Sequence, residues 1–123
     1  MKHIKSYQSQ SYLLNEGDFI IEGPVPLSSL DTMTFDDGLY AFRPPKDQFE
    51  AIKEISELEE GRIYVLHEAQ HIIGYVTYHY PDPLERWSSG NLDYLIELGA
   101  IEISLPYRHL HLGSELIKLS LKA

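Results

Sequence analysis

The sequence predicts an α+β domain, a sheet flanked by helices, and three stretches carry that prediction. From Leu95 to Leu121, LIELGAIEIS reads as a strand buried on both faces in the middle of a sheet. It passes through LPYRHLHLG into SELIKLSL, whose leucines return at helical spacing. RIYVL and IIGYVTYHY, β-branched and aromatic, flank HEAQH as the two arms of a hairpin. Phe49, Ile52, Ile55 and Leu58 recur every third residue between Lys and Glu and stop at Gly61, an amphipathic helix of about three turns.

In chain order, residues 1 to 16 are polar and aperiodic and read as an N-terminal arm, with the domain following over 17–123. DFIIEGPV is a first strand stopped by Pro24 and Pro26. Leu27 to Leu30 suits a short helical turn, a loop follows, and Pro44 and Pro45 punctuate before the amphipathic helix. After the hairpin, PDPLERWSSGN is a long loop in which Pro81 and Pro83 block any continued ladder. Trp87 either covers the mouth of a site or pins this loop to the core, and Asp82, Glu85 and Arg86 either read a substrate or are solvated. The chain ends at LSLKA inside a helix without a Gly, Asn or Pro stop, which leads us to expect a domain lacking its C-terminal strands and helix.

Composition narrows the function. Ten Lys and Arg against nineteen Asp and Glu give a net charge of -9, which argues against a nucleic-acid partner and suits either a cationic, lysine-presenting protein or simple solubility. The absence of cysteine excludes disulfides, thiol catalysis and Cys-ligated zinc, and is compatible with a reducing cytoplasm. No stretch reaches the roughly 18 apolar residues of a membrane span, so no membrane association and a cytoplasmic location are expected.

A strand running through a tight loop into a helix N-terminus is a ready anion site, because free backbone N–H groups and the helix dipole converge on one point. Arg108-His109-Leu110-His111-Leu112-Gly113-Ser114 is such a loop. It resembles the pyrophosphate loop of the GNAT superfamily of N-acetyltransferases, Arg/Gln-x-x-Gly-x-Gly/Ala, with Arg108 and Gly113 matching and His111 standing at the first glycine. IEGPVP, AFRPP, GYVTY, YPDPLERWSSGN and LIELGAIEI extend the likeness over nearly the whole chain, toward the acetoin-utilisation branch of that superfamily.

The resemblance implies an acyl-CoA N-acyltransferase fold with a mixed, mostly antiparallel sheet, and acetyl transfer from acetyl-CoA, without a metal, to a lysine of a protein, acetyl-CoA synthetase. It implies that Arg108 to Ser114 hold the pyrophosphate and that the backbone around Ile103 and Ser104 polarises the thioester carbonyl. Freeing the acceptor lysine of its proton at pH 7 costs about 4 to 5 kcal/mol, and a carboxylate within reach, directly or through water, can take that proton. Glu102 and Glu97 are the acids of the strand, with Glu102 nearer the loop. Five apart, they point to opposite faces unless Gly99 hosts a bulge. Either is as well explained as a structural, hydrogen-bonded carboxylate.

His67-Glu68-Ala69-Gln70-His71 matches the H-E-x-x-H zinc-protease pattern, which needs both imidazoles on one helical face. Between two strand-like runs these residues form a turn instead. A triad from Ser114, His111 and Glu102 lacks a nucleophile elbow. The alternative from another class is a non-catalytic module that forms a homodimer through an unpaired sheet edge.

Overall fold

The computed structural model describes residues 7–79 and 97–121. Strand β1 (Gln8–Leu14) pairs antiparallel with β2 (Gly17–Gly23), so the polar lead-in contains a strand. Its side chains are mostly exposed, which is why it carries no apolar periodicity. After α1 (Leu27–Leu30) comes β3 (Thr34–Phe35), two residues long and too short to leave a pattern. Helix α2 spans Pro45–Ser56. It starts at the second proline because a fixed φ and a missing N–H suit the first helical position. Leu58, expected on its buried stripe, lies beyond its end and is exposed.

Strands β4 (Arg62–Glu68) and β5 (His71–His79) form the expected hairpin. Ala69 and Gln70 turn it, both at positive φ (50° and 71°), as a two-residue reversal of the twist-matched kind requires. The H-E-x-x-H pattern is thus strand end, turn and strand start. Among the described residues no cluster of three or more His, Cys, Asp or Glu could hold a metal.

The sheet runs β1-β2-β4-β5-β3, and β6 (Glu97–Ile103) also pairs with β5. The outer edge of β5 is therefore shared: β3 runs parallel along His71 and Ile72, and β6 antiparallel along Gly74 to His79. Among the described residues β6 pairs with β5 and has no second neighbour. Its apolar residues follow from packing: Ile101 and Ile103 lean on one face and Ala100 on the other.

A 3-10 helix, labelled α3 (Leu105–Leu110), occupies the expected loop, and α4 follows over Leu112–Ser120. Two cores sandwich the sheet. Leu112, Leu116 and Leu119 of α4 cover Phe19, Ile21, Tyr64, Leu66, Ile73 and Val76. Ile52 of α2, with Leu30 and Leu39, covers Ile63, Val65, Ile72 and Tyr75 on the other side. Full burial contributes about 1.5 to 3 kcal/mol for each large aliphatic side chain. These layers fix β6 and the start of α4 relative to each other.

Candidate active site

The residues from Ile103 to Ser114 lie where β6 leaves the sheet. The Ser104 N–H donates to Ile73 O at 2.8 Å, which makes Ser104 and Ile73 a hydrogen-bonded place in the ladder. Such places alternate in an antiparallel pair, so the N–H and C=O of Ile103, opposite Gly74, point away from β5 to the outer edge. The Arg108 Nε donating to Ile103 O at 2.8 Å agrees with that direction. Of the two amides expected to polarise a thioester, that of Ser104 is already committed within the sheet and that of Ile103 faces outward.

His111 caps α4 with φ 60°, ψ 23°, the left-handed conformation that explains a glycine at this place in the pattern. Histidine tolerates this conformation better than most side chains do, and here the side chain is exposed. The first N–H groups of α4, those of Leu112, Gly113 and Ser114, have no intrahelical acceptor by geometry, and no side chain caps them. Arg108, His109, His111 and Ser114 are exposed, Leu110 and Gly113 partly so, and Leu112 is buried under the sheet. The His111 N–H reaches Arg108 O at 3.3 Å, and Ser114 Oγ donates to His111 O at 3.2 Å. His109 lies 3.7 Å from Glu16, both well exposed, so this ion pair contributes little. A Cβ added at Gly113 would meet only Ile103, at 3.4 Å. Close packing inside the protein does not demand a glycine there.

Gly99 does host the bulge. Thr77 pairs with Ala100 and Tyr78 with Leu98, so the register skips Gly99. Glu102 then sits opposite Tyr75 and Glu97 opposite His79, two places that share one face of β5. Glu102 is 5% exposed. One carboxylate oxygen accepts the Ala41 N–H at 2.8 Å and the other accepts the Tyr75 hydroxyl at 2.8 Å. Gln48 Nε2 in turn donates to Tyr75 Oη at 2.9 Å. Burial and the Glu102 carboxylate raise the Tyr75 pKa well above that of an ordinary phenol. Glu102 therefore ties β5, α2 and the loop before α2 together.

Sequence reasoning did not anticipate a polar relay beside Ser104. Ser104 Oγ donates to Asp36 Oδ2 at 2.6 Å, Asp36 Oδ1 lies 2.8 Å from His71 Nε2, and His71 Nδ1 lies 2.7 Å from Thr34 Oγ1. The only signal was the DDG turn, since the contact is made across the sheet edge. Asp82, Glu85, Arg86 and Trp87 lie outside the described residues. Among the described residues no helix is long and apolar enough to cross a membrane.

No protein-family model matches the chain. It is similar to the acetoin utilization protein AcuA of Bacillus subtilis, 48% identical over 98% of this chain and 58% of that protein. The protein of the same name from Bacillus licheniformis is 47% identical over the same shares. The crystal structure of the acetoin utilization protein from Exiguobacterium sibiricum superposes with a TM-score of 0.89 at 44% identity, covering 97% of this chain and 56% of that one. The chain thus spans a little under three fifths of the length of these relatives. The shared fold is the α+β arrangement of the N-acetyltransferases.

Proposed function

We propose that this chain, which is similar to acetoin utilization proteins over 98% of its own length, carries the cofactor side of an acetyl-CoA-dependent protein lysine N-acetyltransferase whose acceptor is acetyl-CoA synthetase. The observation that carries this reading is the outward-facing amide of Ile103 on the β6 edge, followed by the uncapped N-terminus of α4 behind the left-handed His111. The pyrophosphate would lie on the amides of Leu112, Gly113 and Ser114, drawn by the helix dipole. Arg108, His109 and His111 stand around it, and Leu110 fixes the approach of the 3-10 helix. The Ile103 N–H would then donate to the thioester oxygen as negative charge develops on it.

In this reading the lysine amine attacks the acetyl carbonyl directly, and the thiolate of coenzyme A leaves. Glu102 takes the ammonium proton through a water or through the Tyr75 hydroxyl that it already holds, and Glu97 of the same strand is the second candidate. Calorimetric titration of the chain with acetyl-CoA tests the proposal: saturable binding at one site is expected, and no heat beyond dilution rejects it.

A second reading is a homodimerising, non-catalytic module. Its support is β1, whose outer edge is unpaired among the described residues and whose Leu13 is 80% exposed. Light scattering at increasing concentration separates it from a monomeric enzyme.

A further inference from the structure

Strand β3 lies along the start of β5, and that pairing sets three side chains in a row. The Thr34 N–H donates to Gln70 O at 3.0 Å and the Asp36 N–H to Ile72 O at 2.9 Å, which places Thr34 beside His71. Residues two apart in an extended segment share a face, so Thr34 and Asp36 flank the His71 ring from either side. Asp36 Oδ1 lies 2.8 Å from His71 Nε2, and Thr34 Oγ1 lies 2.7 Å from His71 Nδ1. The other oxygen of Asp36 accepts the Ser104 hydroxyl at 2.6 Å and the Gly38 N–H at 3.0 Å. A carboxylate can only accept, so the hydrogen between Asp36 and His71 sits on Nε2. In the neutral imidazole Nδ1 is then an acceptor, and the Thr34 hydroxyl donates to it.

Hydroxyl, imidazole and carboxylate joined in this order have the bonding of a nucleophile, its general base and the group that orients the base. Ser104, at the far end, is completely buried, whereas Thr34 is exposed and the His71 side chain is 41% exposed. The hydroxyl end of the relay is thus the end that a reagent in solution can reach. Thr32 is the contrast: it is exposed too, but its hydroxyl donates to Ser29 O at 2.7 Å, a backbone carbonyl that cannot take up the proton. We propose that Thr34 is a covalent acylation site, its hydroxyl accepting the acyl group of a small, uncharged, activated ester. Thr34 Oγ attacks the carbonyl carbon and forms the new ester bond while its proton passes to His71 Nδ1. The bond from that carbon to the leaving oxygen breaks, and His71 returns the proton to the departing alkoxide or phenoxide. Asp36 touches only the imidazole and is a positioning residue, holding the tautomer that keeps Nδ1 free to accept. Asp36 and the exposed Asp37 beside it repel an anionic phosphoryl donor, which favours a neutral acyl compound. The second histidine of H-E-x-x-H thereby gains a role that needs neither a helix nor zinc. Since the acceptor is a hydroxyl of the chain itself and the donor a simple ester, the proposal stands apart from the acetyl-CoA reading above.

The test is incubation of the whole chain with p-nitrophenyl acetate, followed by peptide mapping in a mass spectrometer. One acetyl group is expected on Thr34 and none on Thr32, with Thr34→Ser still labelled at the same position. His71→Gln should slow labelling of residue 34 about tenfold or more. The positioning role of Asp36 is read from long-range ¹H–¹⁵N NMR spectra of the imidazole: Nε2 protonated and Nδ1 bare in the wild-type chain, the two tautomers mixed in Asp36→Ala. An unmodified Thr34, equal labelling of Thr34 in the urea-unfolded chain, or the opposite His71 tautomer would overturn the proposal. Those three measurements use the wild-type chain alone, so they decide even if a variant fails to fold.

Discussion

Ser104 Oγ donates to Asp36 Oδ2 at 2.6 Å at the place on the β5 edge where β6 ends and β3 begins. The Ser104 N–H goes to Ile73 O and the Asp36 N–H to Ile72 O, so consecutive carbonyls of one strand receive two segments far apart in sequence. The side-chain contact locks that junction, from which the 3-10 helix and the proposed phosphate site depart. Burial pushes the Asp36 carboxyl upward, but hydrogen bonds from Ser104, His71 and the Gly38 amide outweigh it and hold its pKa below the ordinary value. A depressed carboxylate contributes stability that is present above the unfolded pKa and is lost as pH falls through the folded one. Asp36→Asn should therefore be less stable than wild type at pH 7, by about 1 to 3 kcal/mol, and should show a shallower loss below about pH 4. Urea midpoints measured from pH 2 to 7 check both.

Tyr75→Phe leaves Gln48 Nε2 and one oxygen of Glu102 without their partner inside the core. A cost of about 1 to 3 kcal/mol is expected in urea denaturation. The raised phenol pKa has the opposite sign to the Asp36 case: its stability is complete below about pH 10 and is lost as pH rises toward the folded pKa. The mutant should lack this alkaline loss, and an identical alkaline limb in both proteins would contradict the assignment.

The turn of the β4–β5 hairpin uses Ala69 and Gln70, neither of them suited to positive φ. Left-handed backbone costs an ordinary residue about 1 to 2 kcal/mol, and Asn-Gly is the preferred pair for this turn. The double change Ala69→Asn, Gln70→Gly should raise stability by about 1 to 2 kcal/mol, read as an increase in thermal midpoint. A fall would show that the turn has another conformation.

The same hairpin shows what a sequence carries and what it omits. Period-two runs and a helical stripe exposed β4, β5, α2 and α4, because burial on one or two faces writes itself into side-chain choice. The bulge at Gly99 was legible for the same reason: two acids five apart need one extra residue to share a face. Strand β1 left no signal because its side chains are mostly solvated and its pairing uses backbone alone. The Asp36–Ser104 contact is a long-range coincidence that no local spacing encodes.

Gly113 separates a demand of the fold from a demand of a ligand. It is the second residue of α4, and a Cβ there would meet only Ile103 at ordinary van der Waals distance. Gly113→Ala should fold at least as well as wild type, since alanine in a helix is favoured over glycine by about 0.5 to 1 kcal/mol. Gly113→Val adds branched bulk beside the amides proposed to receive the pyrophosphate, with little inside the protein to collide with. Its thermal midpoint should stay within a few degrees of wild type while its affinity for acetyl-CoA falls at least tenfold. Dephosphorylated pantetheine, which lacks the diphosphate, should bind both proteins alike. If Gly113→Val loses stability and affinity together, glycine serves the packing of α4. If it keeps both, the diphosphate lies elsewhere than on the first turn of this helix.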